Sequence, residues 1–277
     1  MVKTMAQNIP TQLKVLRVLS RRAYLRLVAV NPRFPLKCMA LDYLARGLTI
    51  QQQAECFMHH YRRLPDVLPE SILVRVLLGE VLLEELQEGN DRFGITLGLS
   101  RPWDDEGELS LNFLVNGTAV FVLSFTIVPG WVVRSDAVEV ALISRVQGVR
   151  GCYDEIQRAT KTIHDIAPPA LLFAALCGVA EAYGIKAMAG ISASMKPEYH
   201  FYEGEAGHIH EAYDGFFTEL GATMGPADFY LALLPPPEKP MVLIKRGHKT
   251  RTRKKRAYKR QIAANVCQFF MDIGSHS

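Results

Sequence analysis

The chain has no run of 18 uncharged apolar residues. Its longest apolar stretches, Ala119–Val128 and Ala167–Ala180, are the length of a core strand and a core helix, so no integral membrane protein is expected. Near the start, Arg17, Arg21, Arg22 and Arg26 interrupt the apolar positions, and no small-residue cleavage site follows, which argues against a secretory signal. There is no CxxC pair. Cys38, Cys56, Cys152, Cys177 and Cys267 are odd in number and scattered, which excludes a disulfide framework and a structural zinc site and points to a reducing, cytoplasmic compartment. GxSxG, the dinucleotide fingerprint, the Walker A loop and internal repeats are also missing, leaving hydrolase triads and the common nucleotide folds without a signature.

Acid is absent from one further place. Lys245–Arg260 (KRGHKTRTRKKRAYKR) holds ten Lys and Arg and no Asp or Glu, in a chain of 277 residues with a net charge of +4. Taking those ten away leaves −6 on the rest, a mildly acidic body with a concentrated cationic arm. One reading is a solvated, partly helical tail kept extended by like-charge repulsion; otherwise its partner would be polyanionic: an anionic lipid surface, a lipopolysaccharide precursor, or the phosphates of a cofactor. Nucleic acid is the weakest of these, because neither an RNP motif nor a helix-turn-helix pattern accompanies the tract. With 49% hydrophobic and 22% charged residues the body can bury a full core, as one large or two small domains.

Periodicity divides the chain into a helical segment over residues 1–90, an α/β domain over 91–244 and the basic tail over 245–277. Thr11–Val30 places Leu13, Leu16, Ala23, Leu27 and Val30 on one helical stripe and its cations on the other, an amphipathic basic helix that suits an anionic membrane but more commonly caps a core, and Asn31-Pro32 ends it. Leu36–Arg63 and Leu73–Gly89 read as further helices. From Phe93 the period becomes two, with strands over Phe93–Leu99, Leu109–Val115, Ala119–Val128 and Val138–Val146, and with Asn116-Gly117 as a hairpin turn. Helices over Tyr153–Ile163 and Ala170–Tyr183 lead to a strand over Ile185–Ser192, expected to pair beside the strand ending at Val146. A helix near Glu211–Leu220 and strands over Asp228–Leu234 and Met241–Ile244 complete an α+β fold with a mixed, mainly antiparallel sheet.

Three constellations bear on chemistry. The strand–turn–helix around Arg145, Gln147, Gly148, Val149, Arg150 and Gly151 would present backbone N–H groups, a helix N-terminus and full positive charge to a pyrophosphate; a tight turn explains the glycines equally well. His200, His208 and His210 lie among Glu198, Glu203, Glu205 and Glu211, but irregular spacing favours a solvated loop over a metal site, and His200 alone is retained as a candidate acid or base. Asp136 and Glu139 flank the start of the fourth strand, where Glu139 is a candidate base for an acceptor amine; an exposed strand-end carboxylate is the ordinary alternative.

The order of hairpin strands, Gly-rich loop, helix, strand, helix ending FFTELG (Phe216–Gly221) and two last strands resembles the GNAT N-acyltransferases. In that superfamily the Gly-rich loop grips the pyrophosphate of coenzyme A, which implies an acyl-CoA or acyl-carrier thioester here, with an acyl carrier protein as a candidate partner. The pattern departs from the superfamily's at Arg150, where a small residue is expected, and in an extra helix and the Pro168-Pro169 break after the loop. It departs again at Phe217, in the slot of a tyrosine acid, for which Tyr213 one turn earlier is the substitute. A second resemblance covers most of the chain. LSFTIVPG (Leu123–Gly130), ISRVQGVRG (Ile143–Gly151), ALLFAAL with GIKAMAGIS (Ala170–Ser192) and the ending from Lys239 are similar to the VirK/YbjX family of Gram-negative bacteria. Its association with virulence, surface display and resistance to cationic peptides implies a cytoplasmic, envelope-associated protein, peripheral on the inner membrane. Two roles follow as expectations: an acyltransferase acting on an envelope component, or a non-enzymatic accessory protein that holds an anionic surface or a secretion client through the basic tract.

Overall fold

The computed structural model describes residues 9–100, 105–196 and 210–274. Eight strands form one open sheet in the order β1-β2-β3-β4-β5-β6-β8-β7. They are β1 (Glu80–Glu88), β2 (Asp91–Leu99), β3 (Leu109–Val115), β4 (Thr118–Pro129), β5 (Glu139–Gly148), β6 (Ala187–Ile191), β7 (Thr223–Met224) and β8 (Phe229–Leu233). Every neighbouring pair is antiparallel except β5 with β6. The mainly antiparallel mixed sheet is thus as the sequence predicts, and so is its hairpin: Asn116 and Gly117 both take positive φ, as the tight turn between β3 and β4 requires.

Helices cover both faces, which is why Leu123–Pro129 of β4 is buried without alternation. The helices α1 (Ile9–Val18), α2 (Arg22–Val30), α3 (Ile50–Val67) and α4 (Glu70–Leu78) form the N-terminal layer, where α3 packs on β4 and α4 on β1 and β2. A reciprocal cap starts α3: the Gln52 N–H donates to Thr49 Oγ1 (3.2 Å) and the Thr49 N–H to Gln52 Oε1 (2.9 Å). Beyond β5 come α5 (Tyr153–Thr162) and α6 (Pro168–Tyr183). Nearly all of α6 is buried, because it lies between the sheet and a long C-terminal helix, α8 (Lys249–Gly274). A short helix, α7 (Phe216–Glu219), follows a π turn over Glu211–Gly215.

Five expectations are corrected, the first being Leu36–Arg63, of which only the part from Ile50 is α-helix, after a 3-10 turn over Phe34–Met39. Thr11–Val30 is two helices, and the break at Leu19–Arg21 rephases the apolar stripe: Val15, Leu19, Ala23, Tyr24 and Leu27 face the core, whereas Leu13, Leu16 and Val30 are exposed. Leu73–Gly89 is half helix and half strand, because Gly79 ends α4 and Val81 and Leu83 then alternate inward as β1 pairs with β2. The sheet therefore begins before residue 91. Met241–Leu243 is a 3-10 turn rather than a strand, and the last strand pair is β7 with β8.

The last correction concerns the basic tract, which is helical, as the sequence in part allows, but belongs to a helix packed on the body rather than to a solvated tail. Most of it lies in the first turns of α8, whose Ile262, Val266 and Phe270 recur every fourth residue and are buried against α6. A Cβ on Gly178 of α6 would sit 2.3 Å from the Ala263 carbonyl oxygen, so the two helices touch backbone to backbone. Acids outside the tract hold its cations: Arg251 pairs with Asp165 (2.7 Å), and Arg256 and Arg260 pair with Glu238 (3.3 and 2.6 Å).

Candidate functional site

Where β5 leaves β6 the sheet opens. The two strands pair in parallel only at Ala141–Met188, Leu142–Ala189 and Ile143–Gly190. The next residue, Ser144, is the extra residue of a bulge against β4, whose register jumps from Phe125–Ile143 to Ser124–Arg145. A bulge bends its strand. From Ser144 to Gly148, β5 keeps β4 on one side while no described strand pairs with its other edge.

Charged side chains collect at that opening. Arg145 projects from β5, and Lys196 follows the short 3-10 turn after β6, Ala193–Met195. Both cations pair with one carboxylate, Glu106, on the segment leading into β3: Lys196 through a close contact and Arg145 Nε at 3.4 Å. Ser144 Oγ donates to the Glu106 carbonyl (2.7 Å), which holds that segment over the bulge. The buried Lys196 ammonium also lies 5.1 Å from the centre of the Tyr213 ring, itself buried, on the π turn. Asp214, the next residue, accepts from the Ala193 N–H (2.9 Å) and pairs with His210 (2.5 Å), which fastens the π turn to the end of β6.

Two carboxylates two residues apart serve different neighbourhoods. Glu106 faces the opening, whereas Glu108 is fully buried and holds Lys37 (3.1 Å), the Tyr43 hydroxyl (2.7 Å) and the Tyr61 hydroxyl. Burial first, then the Glu108 charge, pushes both phenols well above their ordinary range. Gly107 between them has φ +128, and a Cβ there would come 3.1 Å from Ser124 Cβ and Ser144 Oγ. An apolar groove of about 840 Å3, lined among others by Leu36, Met39, Leu41, Leu48 and Ile50, lies alongside. Arg46, one of its lining residues, donates its N–H to Met195 O (3.0 Å), and nearby the Leu44 N–H donates to Asp105 O (2.8 Å).

The residues singled out from sequence distribute as follows. Tyr213 lies beside Lys196, and Arg145 joins that cluster through Glu106, which pairs with both cations. Glu139 sits at the other end of β5, about 20 Å away at the rise of a strand, where it accepts from Arg63 Nε (3.0 and 3.2 Å) and contacts His59 Nε2 (3.1 Å). Arg63 also donates to the Tyr183 carbonyl (3.0 Å), so Glu139 is part of a tie joining α3, β5 and α6. His200 lies outside the described residues, as do His208, Glu198, Glu203 and Glu205. No group of three His, Cys, Asp or Glu among the described residues could hold a metal ion.

The turn at Gln147–Gly151 has physical reasons of its own. Gly148 is where Ile156 of α5 packs, with its Cδ1 3.0 Å from where a Cβ would stand, and Gly151 takes φ +87. The Val149 N–H is committed to Val120 O (2.9 Å), and the first turn of α5 carries Asp154 and Glu155, which oppose an anion at that helix start. Gln147 and Arg150 are exposed, and among the described residues Arg150 forms no ion pair. Sequence reasoning missed Glu106 and Lys196, whose pairing across 90 residues leaves no local signal. Phe217 is buried flat on β6, with ring atoms 2.3 Å from where a Cβ on Gly190 would be, so it fills space rather than facing the opening.

The model of a family described as "Protein of unknown function (DUF535)" matches residues 4–268. The chain belongs to the DUF535 family. A curated relative, the "Uncharacterized protein YbjX" of Escherichia coli (strain K12), is 25% identical over 205 residues. The match covers 70% of this chain and 59% of YbjX, so the chain spans under two thirds of that relative's length. The resemblance to the VirK/YbjX family read from the LSFTIVPG and ISRVQGVRG segments is thus borne out. No solved structure matches. DUF535 carries no named reaction, so any chemistry for this chain has to be argued from its own residues. No described helix is long and apolar enough to cross a membrane.

Proposed function

We propose that the protein is an envelope-associated acyltransferase that takes its acyl group from a thioester laid along the free edge of β5. The observation that carries this reading is the bulge at Ser144, which ends the β5–β6 pairing directly beside Arg145, Lys196 and Tyr213. An open strand edge offers backbone donors and acceptors to an extended amide-containing ligand such as a pantetheine arm. The strand order β5-β6-β8-β7, with one parallel pair, supports the likeness to GNAT acyltransferases. Arg150 is the cation available to the donor's phosphates, and the apolar groove beside Met195 suits the acyl chain.

In the transfer, the acceptor's nitrogen or oxygen bonds to the acyl carbon and the carbon–sulfur bond breaks. The acceptor's proton leaves to solvent, and Tyr213 gives its phenolic proton to the departing sulfur, to be reprotonated from water. Arg145 and Lys196, held in place by Glu106, would stabilise negative charge on the acyl oxygen. The exposed Arg253 and Lys254 on α8 favour a second, non-enzymatic reading, in which the basic helix holds a polyanionic surface or client.

Titration calorimetry with coenzyme A and dodecanoyl-CoA tests the first reading. Wild type should bind both, Arg150→Gln should bind both at least tenfold more weakly through loss of a charge-assisted contact to the phosphates, and Tyr213→Phe should bind normally but lose thioester cleavage. Equal affinity for wild type and Arg150→Gln, or no binding at all, would remove the thioester site.

A further inference from the structure

The part of the Thr11–Val30 stripe that faces solvent, Leu13, Leu16 and Val30, has a second property. On α1, Ile9, Leu13 and Leu16 recur at helical spacing and are 56%, 62% and 48% exposed. Lys14, Arg17 and Arg21 recur at the same spacing beside them. On α2 the pattern repeats, with Leu25 and Val30 exposed next to Arg22 and Arg26. Between α1 and α3 lies a cavity of about 450 Å3 lined by Lys14, Arg17, Val18, Arg21, Glu55 and Arg62, four cations to one acid. Lys14, Arg17, Arg21, Arg22, Arg26 and Arg62 form no ion pair among the described residues. At the start of α8, by contrast, Arg251, Arg256 and Arg260 are tied to Asp165 and Glu238. The cations there without an ion pair among the described residues, such as Arg253 and Lys254, have no exposed apolar stripe interleaved with them as α1 and α2 do.

We infer that the α1–α2 face, rather than the basic C-terminal helix, docks this protein onto an anionic phospholipid bilayer. Neither property alone would choose that partner. Unpaired cations suit any polyanion, but exposed leucines interleaved with them would have to be buried in something apolar, and an interface of anionic headgroups over acyl chains satisfies both at once. Leu13, Leu16 and Leu25 enter the acyl boundary, Arg22 and Arg26 sit among headgroups, and the cavity between α1 and α3 takes one headgroup phosphate. The docking is independent of the transferase reading. A protein without any thioester chemistry would bind in the same way.

Sedimentation with lipid vesicles tests it on the full chain. Wild type should bind vesicles of phosphatidylcholine with phosphatidylglycerol, not phosphatidylcholine alone, and should release on raising salt. Arg17→Gln with Arg21→Gln should weaken binding roughly thirtyfold, about fivefold per charge. Leu13→Ser with Leu16→Ser should weaken it at least about tenfold through lost apolar burial. All four side chains are exposed, so circular dichroism should be unchanged; Arg22→Gln with Arg26→Gln provides a second charge pair. Binding unaffected by both charge pairs, binding lost instead in Arg253→Gln with Lys254→Gln, or full displacement by inorganic pyrophosphate would each overturn the proposal.

Discussion

Glu108→Ala is expected to destabilise the protein by about 3–5 kcal/mol, the usual effect of removing one partner from a buried ion pair. The Glu108 carboxylate is fully buried and satisfies three donors, Lys37 Nζ and the hydroxyls of Tyr43 and Tyr61. Truncation leaves the Lys37 ammonium, equally buried, with only the Gly107 carbonyl at 2.7 Å. It also releases the segment that carries Glu106. Urea unfolding should show the loss, and Lys37→Met placed on top of Glu108→Ala should recover part of it, because the uncompensated charge then disappears. A loss below about 1 kcal/mol, or further loss in the double variant, would show that the network contributes little.

Stability should also fall as the pH drops below neutral, and His60 is the cause. Its ring is fully buried on α3, with Nδ1 accepting the Ile127 N–H of β4 at 3.1 Å. Burial, and then the positive charges of His59 and Lys37, lower its pKa to about 3. In the unfolded chain the imidazole protonates near its ordinary value of about 6.5. Between those values the unfolded state binds a proton that the folded state refuses, so stability is full above about 6.5 and declines as pH falls, by about 1.4 kcal/mol per pH unit. Denaturation midpoints at about pH 7 and about pH 5 should differ accordingly. In His60→Gln, whose amide oxygen can accept the same N–H without titrating, that slope should flatten. An unchanged slope would assign the acid sensitivity to other groups.

How much of this was legible depended on whether the signal was local. Alternation and Asn116-Gly117 located the hairpin, and the stretch of helix between Val146 and Ile185 required a crossover, so the parallel β5–β6 pair was readable in advance. The tail was not, because ten cations masked the Ile262–Val266–Phe270 stripe that continues the same helix. β1 was missed because Glu80, Glu84, Glu85 and Glu88 fit a helix face as well as a strand edge, and only pairing with β2 decides between them. At the candidate site Arg145 and Tyr213 were chosen for chemistry and proved to belong to one cluster, Tyr213 beside Lys196 and Arg145 linked to it through Glu106. Glu139 was chosen for the same reason but lies at the far end of the strand, in the tie with Arg63. Glu106, the residue that organises the cluster, belongs to a loop whose role exists only once β3, β5 and the turn after β6 are assembled.

The claim that the opening between β5 and β6 is a thioester-binding site is tested most directly by hydrogen exchange with and without dodecanoyl-CoA. The account predicts new protection of amides within Ser144–Gly148 and around Ala193–Lys196, with the antiparallel strands β2 and β3 unchanged. Protection confined to the N-terminal helices, or none anywhere under saturating ligand, would contradict it.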